Sequence, residues 1–310
     1  MITLEAAQRK TDEVFKEISK VIIGQQQPMR QMFIALLCNS HVILESYPGL
    51  AKTTAIKTLA EIMDLSFSRI QGTPDLLPAD VTGTYIIDES KGKKQFEFQE
   101  GPLFANMVLV DEINRATPKT QAATLEAMQE KQVTVGNATY LLDQPFFVLA
   151  TENPIEQEGT FPLPEAQTDR FLFKILLGYP TFEEEMQIVS KYAETAQQQP
   201  LRKVLNKTTL QEMQKLVLEM PIATDIKKYA VEVVTKTRKK NELIEYGASP
   251  RASIGLILAA KANALLEGRK YVSKKDVADM AYPVLRHRIV LNFEAERKGM
   301  TPDQVIERLL

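Results

Sequence analysis

The stretch "HVILESYPGLAKTT", from His41 to Thr54, limits the fold of this chain more than any other. Its β-branched start, residues 41–45, predicts a short buried strand. Apolar residues then recur at helical spacing and predict an amphipathic helix that begins near Lys52: Ile56, Leu59, Ala60 and Met63. A strand, a loop and a helix in this order form the frame in which many proteins bind nucleotide phosphates.

The loop itself departs from the phosphate-loop pattern G-x-x-x-x-G-K-[ST] at both glycines, where Ser46 and Ala51 stand. Pro48-Gly49 still supplies one flexible turn, and we expect Ala51 to lie in the first helical turn at negative φ, where its methyl group costs little. Lys52 would then bridge the β- and γ-phosphates, and the Thr53 hydroxyl would bind Mg²⁺. The alternative is a surface Lys-Thr pair at the start of an ordinary helix.

A second stretch, "NMVLVDE", favours the phosphate site over that alternative. It predicts a buried strand that delivers Asp111 and Glu112 at its carboxyl end, the edge at which parallel sheets bind ligands. Asp111 would hold Mg²⁺ through water, and Glu112 would polarise the attacking water. An isolated Asp-Glu pair after a strand is commonly a helix cap, but here it follows a Lys-Thr loop that has its own strand.

The other periodic segments predict a parallel sheet covered by helices on both faces. Further strands are expected at residues 67–70, 107–111, 146–151 and 171–177, and helices at residues 4–20, 28–38 and 118–130. Two β-hairpins interrupt the alternation, one over residues 84–98 and one that turns at Gly136-Asn137.

The predicted secondary structure changes after Pro180. Helix-start signals recur from there onwards, at Thr181-x-x-Glu184, Thr209-x-x-Glu212, Ser249-Pro250 and Ser273. We therefore predict an α/β core over residues 1–180 and a helical domain over residues 181–310.

Composition restricts the possible partners and the compartment. The 310 residues carry a net charge of -2, so no overall basic excess calls for a polyanionic partner, and nucleic acid is not favoured. The single Cys38 excludes a disulfide framework and suits a reducing compartment. No run of apolar residues is long enough to span a bilayer, and the N-terminus lacks a signal-peptide core. We expect a cytoplasmic protein.

Four stretches together resemble one known family: "ESYPGLAKT", "GPLFANMVLVDEINRATPKTQAATLEAMQE", "FFVLATENPIEQEGTFPLPEAQTDRFLFK" and "GASPRASIGLILAAKANALL". They look like the successive signatures of the MoxR family of AAA+ ATPases, and the resemblance runs from Val21 to His287. It implies a P-loop AAA+ core with a five-stranded parallel sheet and two β-hairpin insertions, followed by an all-helical lid. In this family the ending Ala-Lys-Thr is common, whereas Ser46 departs from the usual glycine.

The resemblance also implies roles for three residues outside the loop. Asn153 matches the sensor-1 position, where an amide orients water beside the γ-phosphate. Arg170 matches the arginine finger, which reaches the nucleotide of a neighbouring subunit. Arg251 matches sensor 2, which touches the γ-phosphate from the lid. The alternatives are a loop residue for Asn153, a surface pair of Arg170 with Asp169 or Glu165, and a surface arginine for Arg251.

By the same resemblance, the cofactors are ATP and Mg²⁺, and "VIIGQ" lines the adenine pocket. The residues expected to contact the nucleotide are Ile23, Gly24, Tyr47, Pro48, Gly49, Leu50, Ala51, Lys52, Thr53 and Thr54. The working unit should be a homo-oligomeric ring, expected to be a hexamer, which acts on a protein client by chaperone-like remodelling or metal insertion, with a von Willebrand A domain protein as adaptor.

Two rival hypotheses stay open. One is a scaffold that binds ATP but hydrolyses it poorly, suggested by Ser46, and the other is a nucleic-acid motor, suggested by the hairpin insertions. The hairpin tip with Lys91, Lys93 and Lys94 would contact a client in this family's wider clade, although such charge runs are more often solvated surface.

Overall fold

The computed structural model describes residues 2–88, 94–154, 159–193, 200–239 and 242–310. The strands of the first part are β1 Val42–Ser46, β2 Phe67–Gln71, β3 Gly83–Asp88, β4 Gln95–Glu100, β5 Met107–Asp111, β6 Gln132–Val135, β7 Ala138–Leu141, β8 Phe147–Glu152 and β9 Phe173–Leu177. Its helices are α1 Leu4–Ile18, α2 Gln26–Leu37, α3 Lys52–Ile62, α4 Pro78–Thr82, α5 Pro118–Glu130 and α6 Glu165–Thr168.

Five of these strands form the predicted parallel sheet, in the order β2-β5-β8-β1-β9. The strand β5 is buried along its whole length, as expected for a strand covered on both faces. Because all five strands run in one direction, the segments that follow β1, β5 and β8 meet at one edge of the sheet. The predicted five-stranded parallel sheet is confirmed.

The two predicted hairpins are present and pack against each other. The strands β3 and β4 pair from Gly83 to Glu100, and β6 and β7 turn at Gly136, which has a φ of 60°. The rings of Phe98 and Tyr140 stack with centroids 4.1 Å apart, and the hydroxyls of Tyr85 and Tyr140 lie 2.8 Å apart. Lys91 and Lys93 of the predicted tip lie outside the described residues.

The second part is helical, with α7 Phe182–Ala193, α8 Lys207–Glu219, α9 Thr224–Lys236, α10 Pro250–Leu266, α11 Lys274–Leu285, α12 Phe293–Arg297 and α13 Pro302–Glu307. It also contains one short antiparallel pair, β10 Ile244–Tyr246 with β11 Val290–Leu291, which departs from the expected all-helical composition. These strands are too short to show a period in the sequence.

Most of the helix-start signals work as predicted. Ser249 and Ser273 cap α10 and α11, and Thr181 forms a reciprocal capping box with Glu184. The capping box predicted at Thr209 is wrong. The helix α8 begins earlier because the side chain of Asn206 accepts the N–H of Thr209 at 2.9 Å.

The core and the helical part share one apolar interior. The helices α1 and α2 pack against α10 of the second part, and one cluster of buried side chains continues from the sheet into α8, α9, α10 and α11. The boundary predicted near Pro180 falls between β9 and α7. Among the described residues, no helix combines the length and the apolar character that a membrane crossing requires.

Candidate active site

The loop between β1 and α3 accommodates Ser46 without backbone strain. Ser46 is the last residue of β1, pairs with Leu177 of β9 and is 2% exposed. Its hydroxyl donates to the carbonyl oxygen of Tyr47 at 3.3 Å. The turn that follows is made by Gly49, whose φ of 80° suits glycine. A β-carbon at position 46 therefore lies in ordinary strand backbone.

Ala51 does not lie where the sequence suggested. It precedes the helix α3 as its N-cap residue and has a φ of 54°, in the left-handed region, so the expectation of a negative φ is wrong. The chain needs this left-handed residue to turn from the loop into the helix, and a β-carbon there costs about 1–2 kcal/mol. The glycine of the general pattern would avoid this strain.

The first turn of α3 is open to an anion. It contains Lys52, Thr53 and Thr54, and Ala51 offers no side chain to bond the free N–H groups of the turn. Such N–H groups, together with the helix dipole, favour a bound phosphate. The start of α3 therefore fits a phosphate group.

Asp111, at the carboxyl end of β5, faces this helix start. Its carboxylate is 10% exposed, and Oδ1 lies 3.8 Å from Nζ of Lys52. Thr151 of β8 donates its hydroxyl to Oδ1 at 2.7 Å, and Arg69 of β2 donates to Oδ2 at 2.7 Å. Sequence reasoning missed Arg69 and Thr151, and the only available signal was their place near the ends of predicted strands.

Glu112 leaves the strand in a strained conformation, with a φ of 55°. Its N–H donates to the hydroxyl of Thr151 at 2.8 Å. Its carboxylate accepts from Arg115 at 3.2 Å and from the amide of Gln71 at 3.3 Å. Gly72 is required beside it, because a β-carbon on Gly72 would lie 2.1 Å from the Glu112 carbonyl oxygen. The side chain of Glu112 is thus held at the same sheet edge as Asp111.

Asn153 also belongs to this edge. It follows β8 directly, and β8 lies between β5 and β1 in the sheet. The side chain is buried. The structure therefore brings Lys52, Thr53, Asp111, Glu112 and Asn153 to one side of the sheet, around the start of α3.

Arg170 lies away from this group. Its guanidinium donates to the carbonyl oxygen of Leu125 in α5 at 3.2 Å, while its buried Nε finds no hydrogen-bond partner among the described residues. It lines a surface cavity of about 300 Å³ together with Glu126 and Gln129 of α5. The pair of Arg170 with Asp169 considered above is not formed, because Asp169 bonds Arg288.

Arg251 also lies apart from the loop. It is the second residue of α10, is 53% exposed, and its guanidinium approaches Asp169 at 3.6 Å. No contact recorded between described residues joins Arg170 or Arg251 to Lys52. The structure thus separates the predicted site residues into two groups.

A cavity of about 790 Å³ adjoins the start of α3. It is lined by Ile23, Thr53 and Thr54 and, from the helical part, by Ile188 and Tyr192. Its size and its mixed polar and apolar lining fit a nucleoside. Gly24, by contrast, lines a neighbouring cavity of about 1000 Å³ between α1, α2 and the lid.

Comparison with known proteins agrees with the fold and with this geometry. Residues 41–173 match the family model described as "ATPase family associated with various cellular activities (AAA)", and residues 237–309 match the model of the AAA lid domain. The chain is 44% identical over 302 residues to "Chaperone MoxR1" of Mycobacterium tuberculosis, covering 95% of this chain and 79% of that protein. This chain belongs to the MoxR family of AAA ATPases.

Two further proteins that are similar to this chain support its assignment to the MoxR family. The protein YeaC of Bacillus subtilis is 43% identical over 295 residues, which cover 95% of this chain and 91% of YeaC. The crystal structure of a candidate ATPase from Cytophaga hutchinsonii superimposes with a TM-score of 0.92 at 43% identity, covering 99% of this chain and 94% of that one. The protein is therefore a nucleotide-binding ATPase with an α/β AAA core and a helical lid.

Proposed function

We propose that this MoxR-family ATPase hydrolyses Mg-ATP in a ring of identical subunits, expected to be a hexamer, and uses the energy to remodel, assemble or insert metal into a client protein. The observation that carries the proposal is the placement of Lys52 and Asp111, 3.8 Å apart, beside the uncapped start of α3. A cation, a carboxylate and free N–H groups at the carboxyl edge of a parallel sheet form a site for a nucleotide phosphate.

In this proposal the loop from Tyr47 to Thr54 wraps the phosphates. The N–H groups of the first turn and Nζ of Lys52 bind phosphate oxygens. The hydroxyl of Thr53 and the carboxylate of Asp111 supply the oxygen ligands that Mg²⁺ prefers, directly or through water. When bound there, Mg²⁺ would neutralise charge on the β- and γ-phosphates. The base would enter the cavity beside Ile23.

Glu112 and Asn153 would act on the attacking water. The Glu112 carboxylate is held by Arg115 and Gln71 and can accept a hydrogen bond from water beside the γ-phosphate. Asn153 would orient the same water through its amide. Both functions need side chains at the edge where the phosphates bind, and both residues lie at that edge.

Arg170 would complete the site of the neighbouring subunit. It is separated from its own phosphate loop and lies, partly exposed, beside a surface cavity of α5. A group placed in this way can act on a nucleotide in the next copy of a ring, where an arginine supplied in trans contributes about 10³ to 10⁵ in rate. Arg251, half exposed and 3.6 Å from Asp169, would touch the γ-phosphate and report the position of the lid.

The client and adaptor are proposed from relatives. MoxR1 is named a chaperone, which supports remodelling of a protein client as the task. The hairpin of β3 and β4 offers exposed apolar side chains for such a client, with Ile87 and Phe96 paired across the strands. A von Willebrand A domain protein is the proposed adaptor, and the cytoplasm is the proposed compartment.

Turnover of a Glu112→Gln variant tests the proposal. The change preserves the shape of the side chain but removes the carboxylate, so ATP hydrolysis should fall by about 10² to 10⁴-fold while nucleotide binding persists. Glu219→Gln, an exposed position at the end of α8, is the matched control and should hydrolyse ATP at the wild-type rate. Equal rates for Glu112→Gln and the wild type would contradict the proposal and would favour an ATP-binding scaffold.

A further inference from the structure

Asp169, the residue directly before Arg170, is hydrogen-bonded to the start of the lid helix α10. The hydroxyl of Ser249 lies 3.0 Å and 2.8 Å from its two carboxylate oxygens. The same hydroxyl oxygen caps α10 by accepting the N–H of Arg251 at 3.1 Å. One side chain of the core therefore contacts the N-cap of the helix that carries Arg251.

A second residue of the lid, Arg288, binds the same carboxylate. Its Nε donates to Oδ1 of Asp169 at 2.8 Å, and its guanidinium also donates to the carbonyl oxygens of Leu172 and Asp169 at 2.9 Å and 3.0 Å. The side chains of Arg288 and Asp169 are 3% and 14% exposed, so the pair is shielded from water. Shielded and multiply bonded, this contact fixes the lid to the segment that contains Arg170.

Arg251 itself is held much more weakly. Its guanidinium is 3.6 Å from Asp169 and half exposed to solvent. Such an exposed ion pair contributes little to stability, so the side chain can leave Asp169 at little cost. Asp169 thus fixes the helix of Arg251 while leaving its guanidinium able to move to another anion.

We propose that Asp169 is a positioning residue that sets the lid helix α10 against the segment of Arg170, so that Arg251 and Arg170 are presented to a nucleotide as one unit. The inference rests on the proposed function, in which Arg170 acts on the site of a neighbouring subunit. Asp169 does not touch the nucleotide in this arrangement. Its adjacency to Arg170 in the chain couples the orientation of the lid to that of the arginine finger.

The simpler explanation is that Asp169 only neutralises the buried Arg288. The two explanations differ in what a change at Asp169 does to catalysis. A counter-ion role predicts lower stability with normal turnover in the folded fraction. A positioning role predicts lower turnover at a neighbouring site, with nucleotide binding to the variant's own loop unchanged.

The variant Asp169→Asn is the first test. It keeps an oxygen that can accept from Ser249 but removes the charge that holds Arg288 and Arg251. Because small displacements of catalytic groups cost about 10²-fold, we expect turnover to fall by about 10 to 100-fold at saturating ATP. Binding of a fluorescent ATP analogue should stay within about twofold of the wild type, since Lys52 and Asp111 are untouched. Wild-type turnover by Asp169→Asn would overturn the proposal.

Mixed rings show whether Asp169→Asn impairs the site of the neighbouring subunit, as proposed, or the site of its own subunit. In rings that contain Asp169→Asn and Glu112→Gln subunits, the first kind keeps an intact phosphate loop and the second keeps correctly placed arginines. We expect ATP hydrolysis to reappear in the mixture above the sum of the two variants. Hydrolysis could also fail to recover in this mixture while it recovers in a mixture of Arg170→Ala and Glu112→Gln subunits. That result would overturn only the role of Asp169. No recovery in either mixture would overturn action between subunits, and the inference with it.

The variant Asp169→Glu tests the same proposal if Asp169→Asn folds poorly. The glutamate retains a negative charge for Arg288 but moves the carboxylate by one methylene relative to Ser249. We expect a melting temperature close to that of the wild type together with reduced turnover. Normal turnover in Asp169→Glu, with a lowered melting temperature in Asp169→Asn, would show that Asp169 is only a counter-ion.

Discussion

The two groups of site residues are built in opposite ways. The loop side, defined by Lys52, Asp111 and Glu112, is assembled within one chain by short contacts at the edge of the sheet. The finger side, defined by Arg170 and Arg251, presents its guanidinium groups away from that edge, with Arg251 half exposed. A chain with a proposed phosphate site on one side and two arginines separated from it on the other has the parts for the two halves of the proposed catalytic centre.

Backbone strain divides in the same way. Ala51 and Glu112, both on the loop side, have positive φ without being glycine. Strain of this kind costs about 1–3 kcal/mol per residue and is typical of functional positions. Within the described ranges, neither Arg170 nor Arg251 has a positive φ. The strained backbone therefore belongs to the loop side, whereas the finger side depends on where the lid and α5 place two arginine side chains.

The largest expected effect is on the loop side. Lys52→Ala removes the cation next to Asp111 and the contact to the β- and γ-phosphates, so both nucleotide binding and hydrolysis should be lost. Binding of a fluorescent ATP analogue and phosphate release measure the two quantities. Lys215→Ala, at an exposed position of α8, is the control that should retain both. Tight binding by Lys52→Ala would place the phosphate site elsewhere.

On the finger side, Arg170→Ala should reduce ATP hydrolysis without reducing nucleotide binding. We expect hydrolysis to fall by about 10³-fold or more while binding of the ATP analogue stays close to the wild type, because the phosphate loop of the same chain is unchanged. Titration with the analogue and steady-state turnover check this expectation. Arg308→Ala, an exposed arginine near the C-terminus, should leave both unchanged. A parallel loss of binding would place Arg170 in the site of its own chain.

A smaller effect is expected from Thr151→Val, which tests how strongly the loop side is fixed. The valine keeps the shape but removes the hydroxyl that bonds Asp111 and the N–H of Glu112. The free energy of unfolding should fall by about 1–3 kcal/mol, and turnover should fall with it. Chemical denaturation and phosphate release measure these changes. Thr134→Val, on an exposed strand, is the control.

Acid should lower the stability of the fold through two histidines, the buried His41 and the partly buried His287. Burial lowers the pKa of His41 and of His287 well below 6.5, and each ring is bonded to backbone, His41 to the N–H of Val148 and His287 to the carbonyl oxygen of Phe171. Because the unfolded chain binds these protons more readily, their contribution to stability is complete above about pH 6.5 and is lost as the pH falls.

The free energy of unfolding should be lower at pH 5.5 than at pH 7.5, as measured by chemical denaturation. His287→Gln should reduce this pH dependence. A stability that is the same at pH 5.5 and 7.5 would contradict the burial of neutral rings.

The smallest effects are expected at the two positions where the loop departs from the glycine pattern. Ser46→Gly should change ATP affinity only modestly, because Ser46 lies in unstrained strand backbone. Ala51→Gly relieves a left-handed alanine and should raise the free energy of unfolding by up to about 1 kcal/mol. Calorimetry of both variants measures the difference. Activity that appears only in Ser46→Gly would show that the natural loop is impaired.

The sequence predicted the loop side better than the finger side. Strand ends carry their polar residues to one edge in any parallel sheet, so Asp111 and Glu112 could be placed beside Lys52 from the order of elements alone. The partners Arg69 and Thr151 could not, because they depend on the strand order β2-β5-β8 and its register, which pairs Gln71 with Asp111.

The left-handed Ala51 and the contacts of Asp169 were not predictable from the sequence. The residue that turns a loop into a helix is set by local geometry, and a Lys-Thr pair at a helix start does not reveal it. The bonds from Asp169 to Ser249 and Arg288 join positions that are 80 and 119 residues apart in the chain, and no periodic pattern links them.

The central claim is that each catalytic centre is shared between two copies of the chain, and mixed rings of Glu112→Gln and Arg170→Ala subunits test it most directly. Each variant alone should be nearly inactive. In an equal random mixture, roughly one interface in four pairs an intact loop with an intact arginine finger, so hydrolysis should rise to about a quarter of the wild-type rate. A mixture that stays at the level of the separate variants, in rings shown to contain both, would contradict the claim.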